Sequence, residues 1–314
     1  MRKTLMRLTL RQLQVFRAVC EAGSYSRAAE EMALTQPAVS LQIRQLEELV
    51  GQPLFEYIGK RLYLTEAAEV LRSASADIFD RLESLDMQLS TLAGSLQGLL
   101  SLTVESSAKY FVPHLFAAFR RHYPEVSLEL TVVNHAQAVR RLSQSRDDLL
   151  IMSQVPKDRA LDFVPFLDNP IVAVAPVGHP LCARGPLELQ DLTAYPLLVR
   201  EPGSGTRRAC EEYCHQKRAH FAVTEQVGSL DAQREAVLAG LGLALLPRHA
   251  VAGELQAGLL CELPVAELPL RRSWCLVNVQ GKRLSPVAQA FQRFIREQRG
   301  QLHEVLAARF GPLD

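Results

Sequence analysis

In the N-terminal part of the chain, apolar positions recur at helical spacing in three short segments separated by tight breaks. The positions that define the three predicted helices are Leu10, Leu13, Phe16, Ala18 and Val19, then Ala28, Ala29 and Met32, then Val39, Ile43, Leu46 and Val50. We expect the first helix to end at Gly23. The third should begin at Gln36 and Pro37, because the fixed φ of proline suits a first helical turn. Residues 56–65 then alternate around Gly59, which predicts a small hairpin.

Residues 66–93 contain no glycine or proline and predict one long helix, with Thr65 as its N-cap and Gly94 at its end. Its apolar positions are alternately four and three residues apart, with Ser75 in register, at Leu71, Ile78, Leu82, Leu85, Leu89 and Leu92. A helix in the core of one globular domain is the alternative interpretation. The seven-residue repeat and its polar flanks favour a seam between the long helices of two copies of the chain.

From Leu99 onwards the pattern changes to strand-like runs that alternate with helical patterns. The runs are 99–104, 126–133, 149–152, 171–175, 196–200, 222–227 and 241–245, and the helical patterns are 112–121, 136–143, 206–218 and 231–239. This rhythm predicts mainly parallel sheets with helices on both faces. The length favours two linked subdomains, with crossings at Asn169 and Pro170 and at the strand 270–279. A last helix is expected after Pro286.

Composition and charge add a little to this picture. The 314 residues, 48% of them hydrophobic, are enough for two or three separate cores. No run approaches the roughly 18 apolar residues of a membrane span. Residues 1–11 are basic and lack the apolar segment of a secretory signal, so we expect a cytoplasmic protein with no membrane partner. The net charge is +3 over residues 1–65 and −2 over the remainder, which puts the positive excess where a DNA contact would need it.

The six cysteines are spread thinly, and in a reducing compartment we expect unpaired core thiols. Cys210, Cys214 and His215 raise the alternative of a metal or redox site, because residues four apart share a helix face. No second cluster supplies further ligands, so we predict no metal and no cofactor. A solute-binding or catalytic α/β protein is the alternative function. The chain has no Gly-x-Ser-x-Gly elbow, Walker lysine loop or His-Glu-x-x-His motif, so we predict no catalytic residues.

The third predicted helix has a polar face opposite its apolar stripe, formed by Gln36, Ser40, Gln42, Arg44 and Gln45. Glutamine can pair with adenine and arginine with guanine in the major groove. We therefore predict that this helix, from Pro37 onwards, is the DNA-reading second helix of a helix-turn-helix. Arg11, Arg27, Lys60 and Arg61 are better placed to contact phosphates. The solvated face of an ordinary amphipathic helix is the alternative.

The same segment resembles the DNA-binding domain of the LysR-type transcriptional regulators. The residues that carry the resemblance are Phe16, Val19, Gly23, Ser24, Ala28, Ala29, Met32, Gln36, Pro37, Ala38, Val39, Ser40, Ile43, Leu46, Glu47, Gly51, Leu54 and Phe55, followed by Gly59, Lys60, Arg61, Tyr63, Leu64 and Thr65. The resemblance extends to 239–247 and 284–294 and so covers essentially the whole chain. Two places depart from the family's pattern: Glu56 and Tyr57 stand where arginine is common, and Ala68 replaces the usual glycine.

The resemblance implies a ligand-responsive transcription regulator that binds promoter DNA of dyad symmetry. It implies a winged helix-turn-helix over 1–65, a linker and dimerisation helix over 66–94, and an effector domain like a periplasmic binding protein over 95–314. The usual assembly would be a homodimer through the linker helix that forms a homotetramer. The expected fold class is α/β with an N-terminal all-α winged helix-turn-helix. The expected subdomains are about 95–169 with 275–314, and about 170–274.

Ligands of open α/β sheets bind beyond the carboxyl ends of strands, where loops meet helix N-termini. Four such loops contain the residues that we assign to effector binding: Ser106 and Ser107, Asn134, Ser153, and Ser204, Gly205, Thr206 and Arg207. The fourth loop joins glycines, hydroxyls and a helix N-terminus, which favours an anion. Ordinary N-capping is the alternative. The run 200–207 is similar to regulators of carbon-fixation and sulfur-assimilation operons, which implies a phosphorylated metabolite or a small oxyanion.

Three residues near these loops are not assigned to effector binding. Glu105 would repel an anion unless it is paired, so it is left out of the predicted site. A histidine after a strand, such as His135, is more often a capped surface residue than a ligand contact. Trp274, the only tryptophan, lies near a predicted crossing and is expected to pack at the hinge.

Overall fold

The computed structural model describes residues 5–59, 61–92, 96–298 and 300. The described chain divides between Asp86 and Met87 into two compact units. No helix within the described ranges is long and apolar enough to cross a membrane.

The first unit contains three helices, a two-stranded hairpin and the first part of a long helix. Their bounds are α1 (Leu10–Ala22), α2 (Tyr25–Glu31), α3 (Gln36–Val50), β1 (Phe55–Ile58), β2 (Arg61–Leu64) and α4 (Glu66–Leu92). The Thr9 hydroxyl caps α1 by accepting a hydrogen bond from the Gln12 amide at 3.2 Å. The helix ends at Gly23, whose φ of 61° is the left-handed conformation that glycine adopts without strain. The three helices and the hairpin predicted from the apolar pattern are confirmed.

The first unit has one apolar core, whose members include Phe16, Ile43, Leu46 and Ala68. Glu47 on α3 fixes the start of the hairpin, because its Oε1 accepts a hydrogen bond from the Leu54 amide at 2.7 Å. Thr65 fixes its end by donating from Oγ1 to the Pro53 carbonyl at 2.8 Å. The same Thr65 oxygen accepts a hydrogen bond from the Ala68 amide at 3.2 Å, so the predicted N-cap of α4 is confirmed.

The second unit contains two five-stranded sheets with helices packed on them. The first sheet has the strand order β4-β3-β5-β12-β6, with β3 (Gly98–Glu105), β4 (Val126–Val133), β5 (Leu149–Met152), β6 (Leu161–Asp168) and β12 (Ser273–Val279). The second has the order β11-β7-β10-β8-β9, with β7 (Ile171–Pro176), β8 (Leu197–Arg200), β9 (Thr224–Val227), β10 (Leu243–Pro247) and β11 (Leu260–Glu262). The helices are α5 (Val112–His122), α6 (His135–Ser143), α7 (Leu189–Leu192), α8 (Gly205–Gln216), α9 (Leu230–Leu238), α10 (Ala252–Gln256) and α11 (Pro286–Glu297).

The strand directions correct one prediction, because the sheets are mixed and not mainly parallel. In the first sheet β3 is parallel to β4 and β5, whereas β12 is antiparallel to β5 and β6. In the second sheet β8 is parallel to β9 and β10, whereas β7 is antiparallel to β10 and β11. Helical crossovers join the parallel strands. The antiparallel strands lie where the chain leaves one sheet and later returns to it.

The strand β6 was not predicted from the sequence. Its run contains Pro165, which cannot donate a hydrogen bond to a neighbouring strand and so argues against a central strand. The structure places β6 at the end of its sheet, where one side of the strand needs no partner.

Two chain segments connect the sheets, one at Asn169 and one just before β12. They run side by side, because the Asn169 amide donates to the Arg272 carbonyl at 2.8 Å and Ile171 and Leu270 exchange backbone hydrogen bonds of 3.1 and 2.9 Å. The predicted crossings are confirmed, although β12 begins at Ser273 and not at residue 270. A double connection of this kind can act as a hinge between the two sheets.

Candidate functional site

The exposed face of α3 carries the side chains predicted to contact bases. Gln36, Pro37 and Arg44 are exposed, and Ser40 and Gln42 are half-buried. Leu41 lies on this face with 52% of its surface exposed, although the sequence analysis did not assign it. An exposed leucine among polar groups can contact the methyl group of thymine. The face therefore exposes an apolar as well as a polar surface.

The residues predicted to contact phosphates lie on other elements of the first unit. Arg11 on α1, Arg27 on α2 and Arg61 on β2 are exposed. Lys60 lies outside the described residues. Arg17 on α1 is partly neutralised by Glu21, whose Oε1 is 3.3 Å from the Arg17 Nε.

The long helix α4 presents an apolar stripe that the single chain leaves uncovered. Ile78, Leu82, Leu85 and Leu89 are 40, 38, 50 and 57% exposed. The earlier seam positions differ, because Ser75 is fully buried and Leu71 packs against the core of the first unit. The side chain of Leu92 lies outside the described ranges. An exposed apolar stripe with heptad spacing is typical of a helix-helix interface.

Loops from both sheets of the second unit meet at the start of α8. Ser204 is the N-cap of α8, and its Oγ accepts a hydrogen bond from the Arg207 amide at 3.4 Å. The Gly203 carbonyl accepts a hydrogen bond from the Ala136 amide at 3.1 Å. Gly203 has a φ of 88°, and a Cβ there would lie 3.1 Å from the Ala136 Cβ, so the approach needs glycine. The structure thus brings the loop at Asn134 against the loop at Ser204.

The carboxylate of Glu105, at the end of β3, lies where these loops meet. Glu105 is 3% exposed. Its Oε2 accepts hydrogen bonds from the Ser153 amide at 3.1 Å and from the Ser153 hydroxyl at 2.7 Å. Its Oε1 is 2.7 Å from Nδ1 of His135. His135 is therefore a half-buried partner of Glu105 and not the capped surface residue that the sequence analysis favoured.

Arg200, at the end of β8, also connects the two sheets across the cleft that lies between them. It is 3% exposed, and its Nε and Nη2 donate to the Glu201 carboxylate at 2.8 and 3.0 Å. Its Nη2 also donates to the Ser106 hydroxyl at 3.3 Å, while its buried Nη1 has no partner among the described residues. Arg207 donates from Nη1 to the Arg200 carbonyl at 2.8 Å and from Nε to Glu211 at 2.7 Å.

The other predicted effector-binding residues differ in their burial and in their hydrogen bonds. Asn134 caps α6, since its Oδ1 accepts a hydrogen bond from the Gln137 amide at 3.0 Å. Ser107 and Thr206 are buried. Next to Ser153, a cavity of about 730 Å³ is lined by residues of both sheets, including His135, Gln154, Lys157, Arg208 and Arg272. Both polar atoms of the Gln154 side chain are buried without a partner in the described part of the chain.

Sequence comparison places the chain in a family. The profile of the "LysR substrate binding domain" matches residues 93–300, and that of the "Bacterial regulatory helix-turn-helix protein, lysR family" matches residues 10–69. The chain is a LysR-type transcriptional regulator. It is therefore a DNA-binding protein and not an enzyme, as the motifs predicted.

This LysR-type regulator is similar to the following two relatives and one solved structure. It is 41% identical to the RuBisCO operon transcriptional regulator of Acidithiobacillus ferrooxidans over 91% of this chain and 93% of that protein. It is 39% identical to the transcriptional activator CmpR of Synechocystis over 91% of this chain and 94% of that protein. The regulatory domain of Synechocystis CcmR in complex with 2-PG is 35% identical, with a TM-score of 0.63, over 65% of this chain and 98% of that domain. The predicted similarity to carbon-fixation regulators is confirmed.

The two sheets of the regulator are also joined by an ionic contact. Asp231 on α9 pairs with Lys109 and accepts a hydrogen bond from the Tyr110 hydroxyl at 2.6 Å. Burial opposes the charge of Asp231, but the hydrogen bonds from Lys109 and Tyr110 hold its pKa below the ordinary value. Burial and the neighbouring Asp231 raise the pKa of Tyr110. This contact forms between a loop of the first sheet and a helix of the second.

His249, after β10, packs into the core of the first sheet. Its Nε2 donates to the Ser107 carbonyl at 2.9 Å, and its ring lies 5.6 Å from that of Phe111 and 6.0 Å from that of Trp274. Trp274 is fully buried, and this cluster confirms that it packs close to the crossing. Burial lowers the pKa of His249 from 6.5 to about 4.

We expect the stability of the regulator to fall as the pH is lowered through this range because of His249. Above pH 6.5 the imidazole is neutral in both the folded and the unfolded chain. Between pH 6.5 and about 4 only the unfolded chain takes up the proton, which favours unfolding by about 1.4 kcal/mol per pH unit. Thermal unfolding measured from pH 8 to 4 should show a shallower decline for His249→Gln than for the wild type. Identical pH profiles would contradict this expectation.

The cysteines are not among the predicted site residues. Cys210 is buried in the core of the second sheet, and burial raises the pKa of its thiol. Burial also raises the pKa of Cys214. All six cysteines are free, and no group of three or more metal-ligating side chains occurs among the described residues.

Arg200 is the site residue that the sequence analysis missed most clearly. An arginine is ordinarily read as a surface residue. In β8, however, Arg200 is two positions after the buried Leu198 and therefore points to the same face of the sheet. The signal that could have identified it was an arginine placed directly at the end of a short, continuously apolar strand.

Proposed function

We propose that this regulator binds dyad promoter DNA in the cytoplasm as a homodimer that assembles into a homotetramer, and that a small anionic metabolite in the cleft changes this binding. The convergence of loops from both sheets on the start of α8 carries the effector proposal. It is supported by the 3.1 Å hydrogen bond between Ala136 and Gly203, which links the two sheets at that point.

The proposed domains are the winged helix-turn-helix over 1–65, the dimerisation helix over 66–94 and the effector domain over 95–314. The proposed base and phosphate contacts are Arg11, Arg27, Gln36, Pro37, Ser40, Gln42, Arg44, Lys60 and Arg61. The uncovered stripe on α4 supports dimerisation through that helix.

The proposed effector contacts are Ser106, Ser107, Asn134, Ser153, Ser204, Gly205, Thr206 and Arg207. A helix N-terminus attracts an anion through its free amides and its dipole. The 2-PG complex of the related CcmR domain supports a small organic anion of that kind as the effector. The adjacent cavity is lined by three basic side chains, Lys157, Arg208 and Arg272, against two acidic ones, Asp158 and Glu212, and this small positive excess supports the same charge preference.

The proposed switch is a population shift between arrangements of the two subdomains. An effector changes that equilibrium only if it binds the arrangements with different affinity. Contacts made by both sheets to one ligand satisfy this requirement, because their distances depend on the angle at the double connection around Asn169 and Arg272.

The test of DNA recognition compares the wild type with the double variant Gln42→Ala and Arg44→Ala on DNA from upstream of its own gene. Each lost base contact should cost about 1 to 3 kcal/mol on the preferred site. Binding to random DNA should persist and weaken steeply with salt. Binding is measured by titration of fluorescently labelled DNA over a series of salt concentrations.

The matched control is Arg293→Ala, which removes one positive charge from the exposed side of α11. It should keep the preference for the promoter DNA. Adding 2-PG to the wild type should change its footprint. A wild type with no preference for the promoter at any salt, with or without metabolite extract, would refute the proposal.

A further inference from the structure

A buried carboxylate is the most unusual feature of the cleft, given an anionic effector. Glu105 is 3% exposed, and burial of a charge requires compensating partners. Its oxygens have three: the amide of Ser153, the hydroxyl of Ser153 and Nδ1 of His135, at 3.1, 2.7 and 2.7 Å. The groups that could hold a bound anion in this loop are thus already engaged by the protein's own carboxylate.

The same carboxylate lies against the start of α8. A Cβ built on Gly205, the first residue of that helix, would lie 3.4 Å from Oε2 of Glu105 and 3.6 Å from the Ser153 hydroxyl. The positive end of a helix dipole favours a negative charge at this place. Glu105 therefore accepts hydrogen bonds from both Ser153 donors and lies against the first residue of α8.

An incoming anion would meet this charge at close range. At a separation of about 5 Å and an intermediate dielectric, two like charges repel strongly enough to lower affinity on the order of 100-fold. Arg200 is already paired through Nε with Glu201 at 2.8 Å. Arg208 and Arg272 at the adjacent cavity are both paired with Glu212, at 3.0 and 3.1 Å. An anion can use the Ser153 donors only if the Glu105 carboxylate leaves them.

We propose that Glu105 is a tethered anion that fills the anion position of the cleft and sets the affinity threshold of the regulator. The inference rests on the proposed function, since it assumes an anionic effector at Ser153 and α8. An effector must displace the carboxylate, so its binding is coupled to release of Ser153 and of the α8 N-terminus. Glu105 is thereby a specificity-determining residue. It rejects inorganic anions, which have no second group with which to compensate for the displacement.

The test is calorimetric titration of the full-length protein with inorganic phosphate and with 2-PG. Glu105→Gln keeps the shape and an acceptor for Ser153 but removes the charge. We expect it to bind phosphate at least about tenfold more tightly than the wild type does. The matched control is Glu129→Gln, which removes one negative charge from the exposed side of β4 and should change the affinity less than twofold.

The outcomes separate the two proposals. If the wild type binds 2-PG and Glu105→Gln binds no anion more tightly, the tethered-anion inference is wrong and the effector proposal stands. If phosphate binds to Glu105→Gln alone, the inference is supported. If neither protein binds any anion, both proposals fall. Circular dichroism verifies folding, and Glu105→Ser, which is also neutral, gives the same comparison if Glu105→Gln folds poorly.

Discussion

Replacing Leu85 with glutamate is expected to dissociate the regulator into monomers and to weaken binding to a dyad site by about 100- to 10,000-fold. Leu85 is 50% exposed in the single chain and lies in the stripe with Ile78 and Leu82. In the proposed dimer this stripe is buried, so the substitution would place two carboxylates in an apolar seam. Each monomer would then bind its half-site alone. It would lose the gain in affinity that comes from the high effective concentration of a linked partner.

The control for this prediction is Val70→Glu on the same helix. Val70 is 68% exposed and lies outside the heptad positions. The substitution Val70→Glu therefore introduces the same charge without placing it in the seam. Sedimentation velocity at micromolar concentration should give a monomer for Leu85→Glu and the wild-type assembly for Val70→Glu. Titration of a full dyad and of a single half-site should show that only the dyad loses affinity. If Leu85→Glu remained dimeric, the prediction would be wrong and the dimer interface would lie outside this stripe.

Substitution of Gly242 by alanine is expected to destabilise the effector domain by about 3 kcal/mol. A Cβ at this position would lie 2.6 Å from the Pro196 carbonyl oxygen. That oxygen accepts a hydrogen bond from the Leu243 amide at 2.9 Å, so it belongs to the backbone pairing of β8 with β10 and cannot move aside freely. The two strands would have to separate, which would also shift Arg200 at the end of β8.

Gly253→Ala is the matched control, because a Cβ there meets nothing within 4 Å and the residue lies in the helix α10. It should raise stability by about 0.5 to 1 kcal/mol, since alanine is better than glycine inside a helix. Thermal unfolding followed by the fluorescence of Trp274 reports on this unit in both proteins. Equal melting temperatures for Gly242→Ala and the wild type would mean that the strands accommodate the methyl group.

Local patterns were sufficient for the family and for most of the elements, but not for β6, β11, α7 and α10. The spacing of apolar residues in α1, α3 and α4 reflects a helical period that is set within a few neighbouring residues. Strands β4 and β5 have the bounds that were predicted. The ordered run of residues from Phe16 to Phe55 indicated the family, because it combines the buried core of a helix-turn-helix with its turns.

The partners of the cleft were decided by the tertiary structure alone. Glu105 meets Ser153 across 48 positions of sequence, and Arg200 meets Ser106 across 94. A periodicity describes which face a residue occupies, but it carries no information about which distant residue faces it. For this reason the sequence predicted four ligand loops, yet not the carboxylate that lies among them.

The direction of the strands was also decided by the tertiary structure. The sequence determined that strands and helices alternate and that the chain crosses near Asn169, because both follow from local composition. It did not determine that β7 and β12 run against their neighbours, since strand order depends on how the chain returns after each crossing. Sequence thus determined the longer helices, the family and the four loops. Only the tertiary structure placed a buried negative charge where an anion is expected to bind, because that placement results from packing between residues far apart in the chain.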